Sequence, residues 1–227
     1  MAFTGFSNKT WEFLAGLIHN NERPWFEAHK PDYEKYVVEP AMALITELDG
    51  VVRAISPHYR GIPKKIGGSL MRIYRDTRFS RDKTPYKTNV GIQLRHEAAG
   101  DVHAPGYYIH LSLEETFVGV GTWHPEPDDL KAIRQRIAAK SREYSTALES
   151  AAAAGLKPVG ESVKRMPADF DAAHPLADEI KRKDFLVSTD LPPDLYLTPE
   201  LAAVLTAKFQ AATPYMKFIC AALNAPF

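Results

Sequence analysis

The middle of this chain alternates and its two ends do not. Four stretches, Leu70–Asp76, Asn89–Arg95, Tyr107–Leu113 and Thr116–Trp123, place apolar residues at every second position between turn-rich segments. Successive side chains of a strand point to opposite faces, so each stretch reads as a strand with one apolar and one polar side. Outside this block the apolar residues recur at helical spacing. Trp11, Leu14, Leu17 and Ile18 come after a Ser7 N-cap, and Leu130, Ile133, Ile137, Tyr144 and Leu148 come after Pro127. Strands bracketed by helices predict an α+β fold, with an antiparallel sheet of at least four strands flanked by N-terminal and C-terminal helices. The helices should cover one sheet face and leave the other partly open. Glu114 and Glu115 predict a tight hairpin between the last two strands.

Prolines punctuate the rest. Pro24 opens a helix that carries Trp25 and Phe26, two expected core anchors. Pro31 and Pro40 are expected to break the next stretch into short helical pieces, with a better helix from Pro40 to about Ile55. Ser56 to Gly68 reads as loop. Pro127 should open one long helix that ends at Gly155, and Pro175 a short one through Lys183. Phe185 to Ser188 is a further strand, and the helix begun at Thr198 and Pro199 should split at Pro214. No repeat or linker divides the 227 residues, so a single domain over 1–227 is expected. The lone Cys220 excludes an internal disulfide and a cysteine-based zinc site, and it reads as inert core. The first residues, MAFTGFSNKTW, lack the basic start and apolar stretch of a signal peptide, which predicts a cytoplasmic protein. No apolar run has membrane-spanning length, so no membrane partner is expected. Oligomeric state is left open.

Charge is unevenly spread. From Arg53 to Lys87 ten basic residues meet only Asp76 and Asp82, a local balance of +8 in a chain of zero net charge. Such segregation makes a local field that attracts anions. Its centre is residues 72–87, RIYRDTRFSRDKTPYK. Alternation puts Arg72, Tyr74 and Asp76 on one sheet face, with Gln93 and Arg95 on the next strand and Tyr108 and His110 on the one after. The guanidinium forks of Arg75 and Arg78 suit phosphate or carboxylate. The Thr84-Pro85-Tyr86 turn fixes Lys83 and Lys87.

The leading reading is a basic, aromatic pocket for a small anionic or phosphorylated ligand. Arg72, Arg75, Arg78, Lys83 and Lys87 hold the anion, and Tyr86 and Tyr108 stack or donate hydrogen bonds. Asp76 and His110 are the proton-handling candidates, although the residues do not say whether the protein is an enzyme. Arg72, Asp76, Arg78, Lys83, Tyr108 and His110 are expected to converge. Two alternatives stand beside this. One is a nucleic-acid-binding module, which the neutral balance and the pI near 7.1 disfavour. The other is an interaction scaffold in which the charges form only structural ion pairs. No metal or nucleotide-cofactor motif is present. His96, His103 and His110 recur every seven residues, but across a strand, a loop and a strand. Gly119 and Gly121 leave one strand face bare, which reads as room for a packed aromatic ring.

The block RIYRDTRFSRDKTPYK resembles the signature of an uncharacterised conserved protein family of bacteria and fungi known as domain of unknown function 2461. The segment NNERPWFEAHKPDYEKYVVEP, from Asn20 to Pro40, is similar to that family's opening block. Gly106 to Leu111, Val118 to Pro125, Lys164 to Pro167, and His174 with Pro175 also match its pattern. The resemblance covers nearly the whole chain. It implies one domain and carries no catalytic assignment.

Overall fold

The structure is a computed structural model that describes residues 2–97 and 104–227. Its N-terminal third is shaped by how the chain absorbs its prolines. Helix α1 (Asn8–His19) starts at an extended Ser7 and buries Phe13, Leu14 and Leu17. Helix α2 (Arg23–Ala28) carries Pro24 in its first turn, where no N–H is needed. Then α3 (Lys30–Tyr33) passes through a π-helical turn (Glu34–Val38) directly into α4 (Glu39–Ile55).

The chain does break at His29, two residues before Pro31, but Pro40 does not cut the stretch, contrary to the sequence expectation. Pro40 has no N–H, so the Tyr36 carbonyl loses the partner four residues on. The chain responds with an extra residue in the turn, in which the Glu39 N–H reaches the Glu34 carbonyl. The stranded Tyr36 carbonyl is satisfied from outside the helix, because the Thr10 hydroxyl donates to it at 2.7 Å. Thr10 is fully buried and also accepts the Ser7 N–H at 3.2 Å. One hydroxyl thus caps α1 and staples it to the widened turn.

The described residues form a six-stranded sheet in the order β1-β2-β3-β4-β6-β5, antiparallel throughout. Its strands are β1 (Tyr59–Arg60), β2 (Asn89–His96), β3 (Gly106–Ser112), β4 (Thr116–Thr122), β5 (Lys157–Val159) and β6 (Phe185–Asp190). The alternation works as read. Ile92, Ile109 and Val118 lie in register on one face, as do Leu94, Tyr107 and Val120, and all are buried. Helices α4, α8 (Glu200–Ala211) and α9 (Thr213–Ala222) cover that face, with the Tyr107 ring 4.5 Å from Phe209. On the opposite face Tyr108, His110, Phe117 and Ser188 are half-buried. Cys220 is core, 3.3 Å from the Tyr59 hydroxyl.

Three local expectations are corrected. Leu70–Asp76 is not a regular strand but the outer arm of a ragged hairpin, with isolated bridges Leu70 to Ile92 and Tyr74 to Tyr86. The Met71 N–H bonds the Gly91 carbonyl, whereas Ile73 accepts from Lys87, so the arms slip by two residues between these bonds. Farther out the Arg75 N–H bonds the Pro85 carbonyl, and proline has no N–H to return. The long helix expected after Pro127 is two helices, α5 (Pro127–Ala139) and α6 (Ser141–Ala153). They part at Lys140 (φ −129°, ψ 43°), where the Ser141 hydroxyl bonds back to the Ile137 carbonyl. The space over Gly119 is open, with no atom within 4 Å of where its Cβ would sit, so no ring packs there.

The Thr10 staple gives a direct test. Thr10→Val keeps the side-chain shape but leaves the Tyr36 carbonyl without a donor, and it should cost about 1–3 kcal/mol. Thr10→Ser should retain most of that stability. Urea unfolding of the two variants beside wild type measures it, and equal losses in both would show that the methyl group, not the hydroxyl, matters.

Candidate functional site

The edge of the sheet is split. After β1 the chain leaves β2, makes a loop, and returns at Ser69, whose carbonyl accepts the Gln93 N–H. Ile62 and Ser69 close that loop reciprocally. The Ser69 N–H bonds the Ile62 carbonyl at 2.8 Å, and the Ile62 N–H bonds the Ser69 hydroxyl at 3.0 Å. Gly68 is required here, since a Cβ would lie 2.1 Å from the Lys64 carbonyl oxygen. The closed loop presents Lys65, Ile66 and Gly67 toward the helical segment opposite.

Between them lies a cleft of about 660 Å³. Phe26, Lys30, Tyr33, Glu34 and Val38 form the helical wall. Lys65 to Gly68 and the hairpin arm Leu70 to Tyr74 form the facing wall, and Lys87 and Arg95 complete the lining. The π turn contributes Glu34 and Val38, its first and last residues, to this wall. The hairpin is pinned to the helical wall by Tyr86. Its ring is buried and stacks on Phe26 at 4.2 Å. Its backbone makes a two-way pair with the Asn21 side chain: the amide of Asn21 donates to the Tyr86 carbonyl, and the Tyr86 N–H donates to Asn21 Oδ1, both at 3.0 Å. Asn21 thus does for the hairpin what a neighbouring strand would do.

The electrostatics divide the basic block in two. At the exposed hairpin tip both aspartates are taken. Asp76 holds the Arg78 guanidinium from both oxygens, at 2.6–3.2 Å, and accepts the Arg78 N–H. Asp82 pairs with Arg75, which also donates to the Thr84 hydroxyl, and accepts the Thr84 N–H at 3.0 Å. The Lys83 ammonium donates to the Thr77 carbonyl at 2.8 Å. These bonds hold the Asp76 and Asp82 carboxyls down to about 2, Arg78 being the main cause for one and Arg75 for the other.

In the cleft the balance is reversed. Glu34 is its one carboxylate, and Lys65 is paired to it. Arg72 and Lys87 have neither a carboxylate nor a hydrogen-bond acceptor for their charged groups among the described residues. Burial, and then the charge of Arg72, push the Lys87 ammonium below its ordinary value. Arg95 donates to Gln93 Oε1 at 3.1 Å.

The remaining sequence candidates lie elsewhere. Arg75, Asp76, Arg78 and Lys83 are on the tip and do not line the cleft. Tyr108 and His110 stand on the open face of β3, with the Tyr108 hydroxyl 3.0 Å from His110 Nδ1 and the imidazole flat on Phe117 at 4.7 Å. Burial lowers the His110 pKa and raises that of Tyr108 to about 12. Of the expected site residues, Arg72 and Lys87 share the cleft lining, and Tyr86 supports it from behind. Among the described residues no cluster of three or more His, Cys, Asp or Glu is arranged to hold a metal, and His103 lies outside them.

Residues outside the expected site also matter. Lys30 and Arg95 bring cleft cations from distant segments, and Asn21 anchors the hairpin. Away from the cleft, the buried Asp184 accepts the His124 N–H at 2.9 Å, His124 Nδ1 at 2.7 Å and the Glu161 N–H at 3.0 Å. His124 sits at φ +48°, a strained conformation for a non-glycine residue. Gly160 has φ +103°, and a Cβ there would lie 2.6 Å from Asp184 Cβ. The signal in the sequence was Trp123-His124-Pro125, part of the family pattern.

The geometry defines an α+β domain with a cationic cleft at a split sheet edge. Over residues 9–218 the chain matches the family described as conserved hypothetical protein (DUF2461), and it belongs to that family. No curated protein and no solved structure matches it. Among the described residues no helix is long and apolar enough to cross a membrane.

The Asn21 anchor and the Asp184 knot can each be tested. Asn21→Ala should cost about 1–3 kcal/mol, because two backbone groups of Tyr86 lose their partner. Amide exchange should accelerate between Ile73 and Lys87 and stay unchanged in β3, and uniform acceleration would mean that Asn21 has no local role. Asp184 gives a pH test. Burial raises its carboxyl pKa, but the donors from Glu161 and His124 outweigh burial and hold it below 3.8. A carboxyl lowered in the folded state stabilises above its unfolded value and loses that contribution as pH falls through the folded value. Asp184→Asn should therefore be less stable than wild type near neutral pH, and the gap should narrow below about pH 4. Urea unfolding across pH reads this, and a gap independent of pH would refute it.

Proposed function

We propose that the cleft binds a small anionic or phosphorylated ligand. The observation that carries this reading is Arg72 beside Lys87: two cations in one cleft, neither with a carboxylate partner among the described residues. Lys87 is half-buried and Arg72 is exposed at the mouth. A partly desolvated cation beside a second cation is costly unless an anion answers it, and among the described residues the nearby carboxylates are committed to Arg75, Arg78 and Lys65. Phosphate or carboxylate between Arg72 and Lys87, with Lys30 and Arg95 within the same lining, would supply the missing charge. The apolar part of the ligand would lie against Phe26, Tyr33 and Tyr74. In this reading Arg75, Asp76, Arg78 and Lys83 shape the hairpin rather than touch the ligand. A cytoplasmic setting, where charged metabolites are retained, belongs to the same reading.

One feature favours nucleic acid instead. Phe79 is 95% exposed at the hairpin tip, beside the Arg78 guanidinium and close in sequence to Arg81 and Lys83. That reading predicts affinity that falls steeply with salt, and sensitivity to Phe79→Ala rather than Arg72→Ala.

Thermal unfolding at constant ionic strength, with phosphate, pyrophosphate and nucleotides, tests the cleft. A ligand at a hundredfold its dissociation constant stabilises the fold by about 2.7 kcal/mol. Arg72→Ala should unfold within about 0.5 kcal/mol of wild type without ligand, since its side chain is exposed and unpaired, and should lose the ligand-dependent gain. Equal stabilisation of both proteins, or none of wild type by any anion, would overturn the reading.

A further inference from the structure

The lysines of the cleft are not equivalent. Lys65 is exposed and paired with Glu34, and Lys30 is exposed and within 4.0 Å of Glu27. A carboxylate partner holds the proton on an amine and keeps its lone pair out of chemistry. Lys87 is the exception, half-buried in the lining with no carboxylate partner among the described residues. Its backbone is fixed by the bond from its N–H to the Ile73 carbonyl at 2.7 Å, and the adjacent Tyr86 is locked against Phe26 and Asn21. Ile73, Leu70 and Phe26 supply apolar surface in the same cleft. An amine withdrawn from water beside a second cation is the arrangement that frees a lysine for nucleophilic attack.

We propose that Lys87 is the reactive amine of this cleft, and that it forms an imine with an aldehyde or ketone whose carboxylate or phosphate is held by Arg72. This rests on the anion-binding reading and names the ligand class. The amine lone pair forms the C–N bond to the carbonyl carbon. The carbonyl oxygen leaves as water, with one proton from the amine and one from solvent, and a protonated imine remains. No oxidant or reductant is needed. Arg72 fits the role of anion holder because its guanidinium never gives up its charge and shares the cleft with the amine.

The pH dependence comes from the groups that share the cleft with Lys87: Lys30, Tyr33, Glu34 and Lys65 from the walls opposite, and Arg72, Tyr74 and Arg95 on its own side. The one carboxylate is paired with Lys65, so the others leave Lys87 in a cationic environment that favours the neutral amine. Burial acts in the same direction.

Borohydride trapping tests the proposal. The hydride reduces an imine to a stable secondary amine, which peptide mass spectrometry locates. The 227-residue chain is treated with pyruvate, with glycolaldehyde phosphate and with neutral acetone. Label should concentrate on Lys87 with one or both anionic carbonyls, roughly tenfold over any other lysine for each unit by which its pKa lies lower. It should begin at lower pH than at surface lysines, and acetone should not show this preference. Pyruvate alone would identify a 2-oxo acid site, and glycolaldehyde phosphate alone a phosphorylated-aldehyde site. Arg72→Ala should remove the preference for anionic carbonyls while Lys87 remains present. Label spread over lysines according to exposure would overturn the imine. If anions still stabilise wild type through Arg72 in the thermal assay, that result ends the imine and leaves the anion site standing. If they do not, both fall.

Discussion

Tyr86 holds the cleft together. Its ring lies on Phe26, and its backbone closes a two-bond ring with the Asn21 side chain. These contacts press a hairpin that belongs to the sheet against helices that belong to the N-terminus. Ring stacking of this kind adds about 0.5–1.5 kcal/mol beyond area burial, and each backbone group left unpaired would cost more than that. With Tyr86 fixed, the next residue, Lys87, has little freedom. It joins the cleft lining, and the arm opposite carries Arg72 along with it.

That anchor also sets the charge distribution. The hairpin is long enough for its tip to be a separate environment from its base. At the tip, Asp76 and Asp82 lie within a few residues of Arg78 and Arg75, and turn geometry closes both pairs. At the base, among the described residues, the only acid is Glu34, which Lys65 reaches from the closed loop. Both aspartates of the +8 segment are therefore spent at the tip, and the exposed Arg72 and half-buried Lys87 are left without one at the base. Enclosure matters because solvent screens an exposed cation, whereas the same charge inside a cleft acts at close range on whatever enters.

Strain is concentrated elsewhere. His124 at positive φ, Gly160 at positive φ and the buried Asp184 meet at one point, where the segments after β4, after β5 and before β6 come together. One ionised carboxylate with three donors ties these segments, and its hydrogen bonds offset both its own burial and the backbone cost at His124. This is the counterpart, at the far edge of the sheet, of the Thr10 staple in the N-terminal helices. In each case a single buried polar group satisfies backbone atoms that the local chain could not satisfy for itself.

The sequence by itself determined the central strands β2, β3 and β4 and their sides. Tyr107, Ile109 and Leu111 are buried and Tyr108, His110 and Ser112 are not, because the strand period is a local property that a solvent–core boundary reads directly. It also marked the basic block as the place to look. It did not determine which cations in that block would stay unpaired. Arg72, Arg75 and Arg78 are all close to Asp76 in the chain, and hairpin geometry, not spacing, gave Asp76 to Arg78. The break expected at Pro40 failed for the same kind of reason, since the missing partner came from Thr10 on another helix. Lys30 and Asn21 enter the site from the N-terminal helical segment, far from the basic block in the chain. Periodicity is written in neighbouring residues, whereas the pairing of a charge or a carbonyl depends on which distant groups the folded chain brings within reach, and only the tertiary structure decides that.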